Sequence, residues 1–285
     1  MSLKNDLTVV SCELPRTAVD PFLEVCDCSE FTPTFWENVE TNTARLDVFL
    51  EDAAQADGVK KAVEEAAAVL ELPIVVELST LPPANWQESW KRFFHTMRVS
   101  KRIVVRPSWE SFTAEPDDRV ITLDPGMSFG TGQHGTTQGC LVFLDELAAE
   151  GDLNRTVVDM GCGSGILAIG AKLLGFPNVT GFDNDPDAVR IAGENAELNG
   201  VAVPFTVDDL AGMTVKADIV VANILAVVLI AFADNIARAT GRELIVSGIL
   251  DEQYPDVLRA FEARGFREVR TVLIAGWRSG HLRRG

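Results

Sequence analysis

At 285 residues the chain exceeds one ordinary domain, and a composition 47% hydrophobic and 24% charged is that of a globular protein with one large or two moderate cores. Its net charge of −17 at pH 7 leaves no basic stripe to hold nucleic acid through phosphates; the acidity reads first as keeping the protein in solution, with long-range attraction for a basic protein substrate as the alternative. The longest apolar run, over 219–232, is interrupted by Asn223, so none reaches the roughly 18–20 residues of a membrane helix.

The opening MSLKND has no apolar signal-peptide core, and five cysteines in no framework spacing fit a reducing compartment, so a cytoplasmic protein is expected; a monomer is the expected form. Cys26-x-Cys28 has no second pair and no nearby histidine; it is read as two incidental thiols, with no metal expected.

Residues 1–80 carry the pattern of a small α+β unit. Strands are predicted over 7–12, 35–40, 43–50 and 74–78, with helices over 17–28 and 55–70, the second bearing Val59, Val63, Ala66 and Ala67 at helical spacing. The order βαββαβ is that of a ferredoxin-like unit, read as a recognition domain because no catalytic cluster lies in it. Pro82-Pro83 ends it, and Asn85 is expected to cap a linker helix over 86–96. His95, at the end of that helix, reads as structural.

Two more strands are predicted over 101–106 and 119–123, followed by DPGMSFGTGQHGTTQ from Asp124 to Gln138. Four glycines and a proline there exclude a regular element, and the neighbouring Phe129, Thr131, His134, Thr136 and Thr137 suggest a loop that brings backbone close to a ligand. A helix then runs to about Glu150.

From Thr156 the order is strand, glycine turn, helix: Val157 and Val158 lead into Gly161-Cys-Gly163-Ser-Gly165, and Ile166, Leu167 and Ile169 follow. A second short strand ends at Asp183, about 20 residues beyond the first glycine, where a Rossmann-like unit carries its ribose ligand. Dinucleotide folds use G-x-G-x-x-G, whereas the third glycine here comes one residue early; that spacing is similar to the S-adenosylmethionine loop, although the turn alone leaves NAD open. Asp185-Pro186 reads as the cap of the next helix, over 187–199. Asn223 closes a buried strand over 218–223 and so faces the crevice where open α/β sheets bind ligands, with capping of a helix over 225–239 as the competing reading. A strand over 243–247, a helix over 255–264 and an antiparallel hairpin over 269–274 and 277–282 complete the pattern.

The blocks LDPGMSFGTGQHGTT, VVDMGCGSGILAIGA, GFDNDPDAVRIAGENAELNG, DIVVANIL and LIVSGIL, in order between Trp86 and Trp277, resemble the PrmA family, bacterial methyltransferases acting on protein eleven of the large ribosomal subunit. The resemblance implies a class I (Rossmann-like) α/β methyltransferase domain over 99–285, a linker over 81–98 and S-adenosylmethionine as methyl donor. It implies that Thr137, Gly161, Gly163, Asp183 and Asn223 contact that donor, with either Asp208 or Asp209, Asp208 preferred, beside the adenine. Asn223 stands where amino-methylating relatives carry an Asn/Asp-Pro-Pro-Tyr motif that orients the attacking amine, and Phe129, Thr131 and His134 are expected to shape the substrate channel. The family loop commonly has threonine and proline where this chain has Gln133 and Gly135. The implied reaction is methylation of lysine side-chain or N-terminal amines.

Overall fold

The computed structural model describes residues 7–26, 31–38, 41–50, 52–81, 94–124, 132 and 134–285, and the chain divides into two units, Met1–Phe93 and Phe94–Gly285. The first unit runs β1 (Leu7–Pro15), α1 (Val19–Val25), β2 (Thr34–Asn38), β3 (Thr43–Leu50), α2 (Ala56–Val69) and β4 (Glu77–Leu81). Its sheet has the order β2-β3-β1-β4 with every pair antiparallel, the ferredoxin-like arrangement. Strand periodicity of two turns Val10, Cys12 and Leu14 of β1 and Leu46 and Val48 of β3 to one face, where Phe22 of α1 and Val59, Val63 and Ala66 of α2 cover them.

Two expectations shift here. The last strand is found three residues later than predicted: β1 pairs with Glu77–Leu81, while Ile74 and Val76 approach from outside the ladder and pack against the core. A β-branched run looks alike whether its residues pair or only pack, and that ambiguity produced the shift. The expected linker helix lies outside the described residues except for 94–96, which belong to no regular element.

The second unit opens with a three-stranded sheet, β5 (Met97–Arg98), β6 (Ile103–Arg106) and β7 (Arg119–Thr122). It is tied to α3 (Gly135–Ala149) by the buried Asp145, whose carboxylate accepts from Arg102 Nε at 2.6 Å, Ser100 Oγ at 2.7 Å and Arg102 N at 3.1 Å. Then follow β8 (Val157–Met160), α4 (Ile166–Leu173), β9 (Val179–Asp183), α5 (Pro186–Leu198), β10 (Phe205–Val207), β11 (Ala217–Asn223), α6 (Ala226–Ala231), α7 (Ala233–Ala239), β12 (Thr240–Leu250), α8 (Tyr254–Glu262), β13 (Phe266–Ile274) and β14 (Trp277–Arg284).

The large sheet has the order β10-β9-β8-β11-β12-β14-β13, parallel through β12 and closed by the antiparallel hairpin. Alternate residues of its central strands enter different cores. Val157, Ile219, Val221 and Ile245 meet Leu141, Leu144 and Ile169 of α3 and α4; Val158, Met160, Val220 and Val246 meet Leu229, Ile236 and Val257 of α6 to α8. Such double coverage explains the near-continuous apolar runs of these strands. The chain order reverses between β8 and β11, so ligands are expected at their carboxyl ends. The single helix predicted over 225–239 is two helices that meet at Phe232, which lines a cleft there and also packs against the core.

Candidate functional site

The carboxyl end of β8 turns through Gly161, Gly163 and Gly165, whose φ angles of +70°, +51° and +78° are left-handed and favour glycine. Space as well as angle requires the first: a Cβ on Gly161 would lie 2.6 Å from Ile224 Cγ2. The turn is fixed to β9 because the Gly161 and Cys162 N–H groups both donate to the Phe182 carbonyl at 2.9 Å.

Asp183, the last residue of β9, accepts from Gly163 N at 2.9 Å through Oδ2 and from Asp185 N at 3.1 Å through Oδ1. Each oxygen keeps a second lone pair for a ligand hydroxyl. Asp185 itself caps α5 by accepting from Asp187 N at 2.9 Å, as its place before Pro186 predicts.

A cleft of about 530 Å³, ordinary for a small-molecule site, is lined by Gly161, Asp183, Asp208, Ile224, Leu225 and Phe232 among others. The structure therefore brings together Gly161, Asp183 and Asp208. Of the two candidate carboxylates after β10, Asp209 uses Oδ1 on the Ala211 and Gly212 N–H groups at 2.8 and 2.7 Å, a local turn role. Asp208 Oδ1 accepts a single bond, from Asp209 N.

Asn223 ends β11, directly before the cleft residue Ile224. It does not cap the following helix: the N-cap of α6 is Leu225, without a side-chain bond. Its Oδ1 is buried with no hydrogen-bond partner. Thr137, fully buried in the first turn of α3, likewise has an unpartnered Oγ1. Buried polar atoms in native proteins almost always find partners, so such orphans mark places where a ligand completes the bonding.

His134 is the N-cap of α3, with Nδ1 2.7 Å from Thr136 Oγ1 and its ring centroid 4.9 Å from that of Trp277. Phe129 and Thr131 lie outside the described residues. His95 pairs with Glu110 at 2.8 Å, in keeping with a structural role. Among the described residues no cluster of His, Cys, Asp and Glu could hold a metal, and Cys28 lies outside them.

Asp159 of β8, directly before the glycine turn, is a buried carboxylate that the sequence analysis did not single out. It is buried, with Oδ2 accepting from Ala168 N at 3.2 Å and Oδ1 unpartnered. Burial pushes its carboxyl up to about 7, against the Ala168 N–H, which favours the charged form, and with the nearby Asp183 charge adding to the rise. A lone carboxylate inside an otherwise apolar strand was the available signal.

Residues 23–284 match the family model described as ribosomal protein L11 methyltransferase (PrmA). The chain belongs to the ribosomal protein L11 methyltransferase family. The L11 methyltransferase of Geotalea daltonii is 34% identical over 303 residues, covering 95% of both chains, and that of Geobacter sulfurreducens is 42% identical over 249 residues, covering 85% of this chain and 80% of its own. The crystal structure of the L11 methylase from Lactobacillus delbrueckii subsp. bulgaricus is 32% identical with a TM-score of 0.60, spanning 67% of this chain and all of that one.

Methyltransferases of this family draw on S-adenosylmethionine, and the residues present fit it. Asp183 offers paired acceptors for two ribose hydroxyls, and the orphaned Asn223 Oδ1 and Thr137 Oγ1 offer hydrogen bonding that the protein leaves unused.

Proposed function

We infer that this chain methylates lysine side-chain or N-terminal amines of ribosomal protein L11, with S-adenosylmethionine as donor. The observation that carries the reading is the buried, unpartnered Oδ1 of Asn223 at the carboxyl end of β11, in sequence contact with a cleft that also holds Asp183. When bound, the donor supplies a methyl group on a positively charged sulfur, open to displacement by a neutral amine.

Gly161, Gly163, Asp183, Asp208 and Thr137 would hold the donor, Asp183 through ribose hydroxyls and Asp208 through the adenine amino group. Asn223 Oδ1 would accept from the substrate N–H and so aim the nitrogen lone pair. A lysine amine with a pKa near about 10.4 arrives protonated at neutral pH. Its proton must pass to solvent before attack, and the chain's contribution afterwards is alignment, which needs no strong base. With Nδ1 engaged by Thr136, His134 suits shaping the channel together with Phe129 and Thr131. Residues 1–80 are assigned to recognition of the substrate protein, with 81–98 as linker, and a cytoplasmic monomer is the working form. No helix among the described residues is long and apolar enough to cross a membrane.

Incubation with methyl-labelled S-adenosylmethionine and purified L11 tests the reading. Label should enter L11; an enzyme that binds S-adenosylhomocysteine yet leaves L11 unlabelled would refute it.

A further inference from the structure

We propose that Ser247 and Gly248, adjacent near the carboxyl end of β12, are positioning residues that hold Asn223 and the start of α3 in a single register. The proposal rests on the roles given above to Asn223 and Thr137.

Toward β11, Ser247 stands opposite Asn223 in the parallel ladder, and its carbonyl accepts from Ile224 N at 3.1 Å. Gly248 then turns with a φ of +83°, and a Cβ there would lie 2.4 Å from the Ile224 carbonyl oxygen, 2.8 Å from its carbon and 3.1 Å from its nitrogen. Backbone atoms cannot yield as a side-chain tip can, so only glycine lets β12 pass beneath the peptide that follows Asn223.

Toward α3, Ser247 Oγ donates to the Thr136 carbonyl at 3.1 Å and lies 2.7 Å from Ser279 Oγ of β14. A hydroxyl has one proton; with that proton on the Thr136 carbonyl, Ser279 must be the donor in the serine pair. Ser247, Ser279 and Thr136 are all fully buried. The helix comes this close because Gly139 carries no side chain: a Cβ would fall 2.2 Å from Ser279 Oγ. One residue pair thus fixes the strand end bearing the amine-orienting group and the helix turn bearing Thr137.

Ser247→Ala and Ser279→Ala separate this role from mere packing, since both remove a buried hydroxyl but only the first removes the bond to Thr136. In the full-length chain, Ser247→Ala should weaken S-adenosylhomocysteine binding about fivefold by calorimetry and lower kcat on L11 about tenfold, while Ser279→Ala keeps both within about twofold. Gly248→Ala should lower kcat by at least about tenfold; should it fail to fold, the serine pair still decides. Equal losses in the two serine variants that track their melting temperatures, or a Ser247→Ala protein with wild-type affinity and kcat, would overturn the proposal. If wild type binds S-adenosylhomocysteine but does not methylate L11, the functional reading fails, and the affinity comparison of the two variants still tests the positioning role.

Discussion

In the proposed reaction Asn223 aligns the attacking amine. Its amide offers the one unpartnered acceptor at the end of β11 among the described residues, and alignment of a nucleophile is worth several factors of ten in rate. Asn223→Ala should therefore lower kcat on L11 by about 100-fold or more while leaving the fold intact, checked by steady-state kinetics beside a thermal melt. Asp183 acts earlier, at binding. Asp183→Ala removes the acceptor shared by Gly163 and Asp185 as well as the ribose site, and calorimetry should find S-adenosylhomocysteine weakened by roughly 10- to 100-fold. Asp159 predicts a pH effect of definite sign. Its folded pKa of about 7 lies above the ordinary 3.8, so the native state prefers the protonated form. The stabilisation is fully present below about pH 4 and is lost as pH rises through about 7. Denaturant unfolding from pH 5 to 8 should show wild type losing stability relative to Asp159→Asn, on the order of a few kcal/mol.

At the scale of elements, the strand, glycine turn and following helix hold the cleft open only while position 161 lacks a side chain. Gly161→Ala forces a left-handed φ on alanine and presses on Ile224, so it should cost about 1–3 kcal/mol in stability and weaken cofactor binding in calorimetry. Much of this was legible in the sequence because the relevant signals are local. Glycine spacing and the acid about 20 residues later placed Asp183 at the end of its strand, an asparagine after an apolar run placed Asn223 at the end of β11, and Asp-Pro identified the cap at Asp185. What escaped was non-local. Ser247 meets Thr136 across 111 residues and Ser279 across 32, and no periodicity encodes such pairings. The break at Phe232 and the shift of β4 share that origin: packing against distant residues, not propensity, decides where those elements stop.

For the whole molecule, the chain divides into Met1–Phe93 and Phe94–Gly285, every described residue assigned to the cofactor or to the amine lies in the second unit, and the proposal gives substrate choice to residues 1–80. A chain of residues 94–285 should bind S-adenosylhomocysteine within about threefold of full length, since each unit has its own core, yet lose most transfer to L11. Equal L11 methylation by the shortened chain would remove the recognition role of residues 1–80. The net charge of −17 adds a long-range term: association with a basic substrate should slow as salt rises, visible in kcat/KM measured across ionic strength. Donor binding and amine alignment are tested together by the intact mass of L11 after incubation with S-adenosylmethionine and either wild type or Asn223→Ala, both first shown to bind S-adenosylhomocysteine. Wild type should add methyl groups and the variant almost none; unmodified L11 in both, or equal methylation by both, would overturn the proposed reaction.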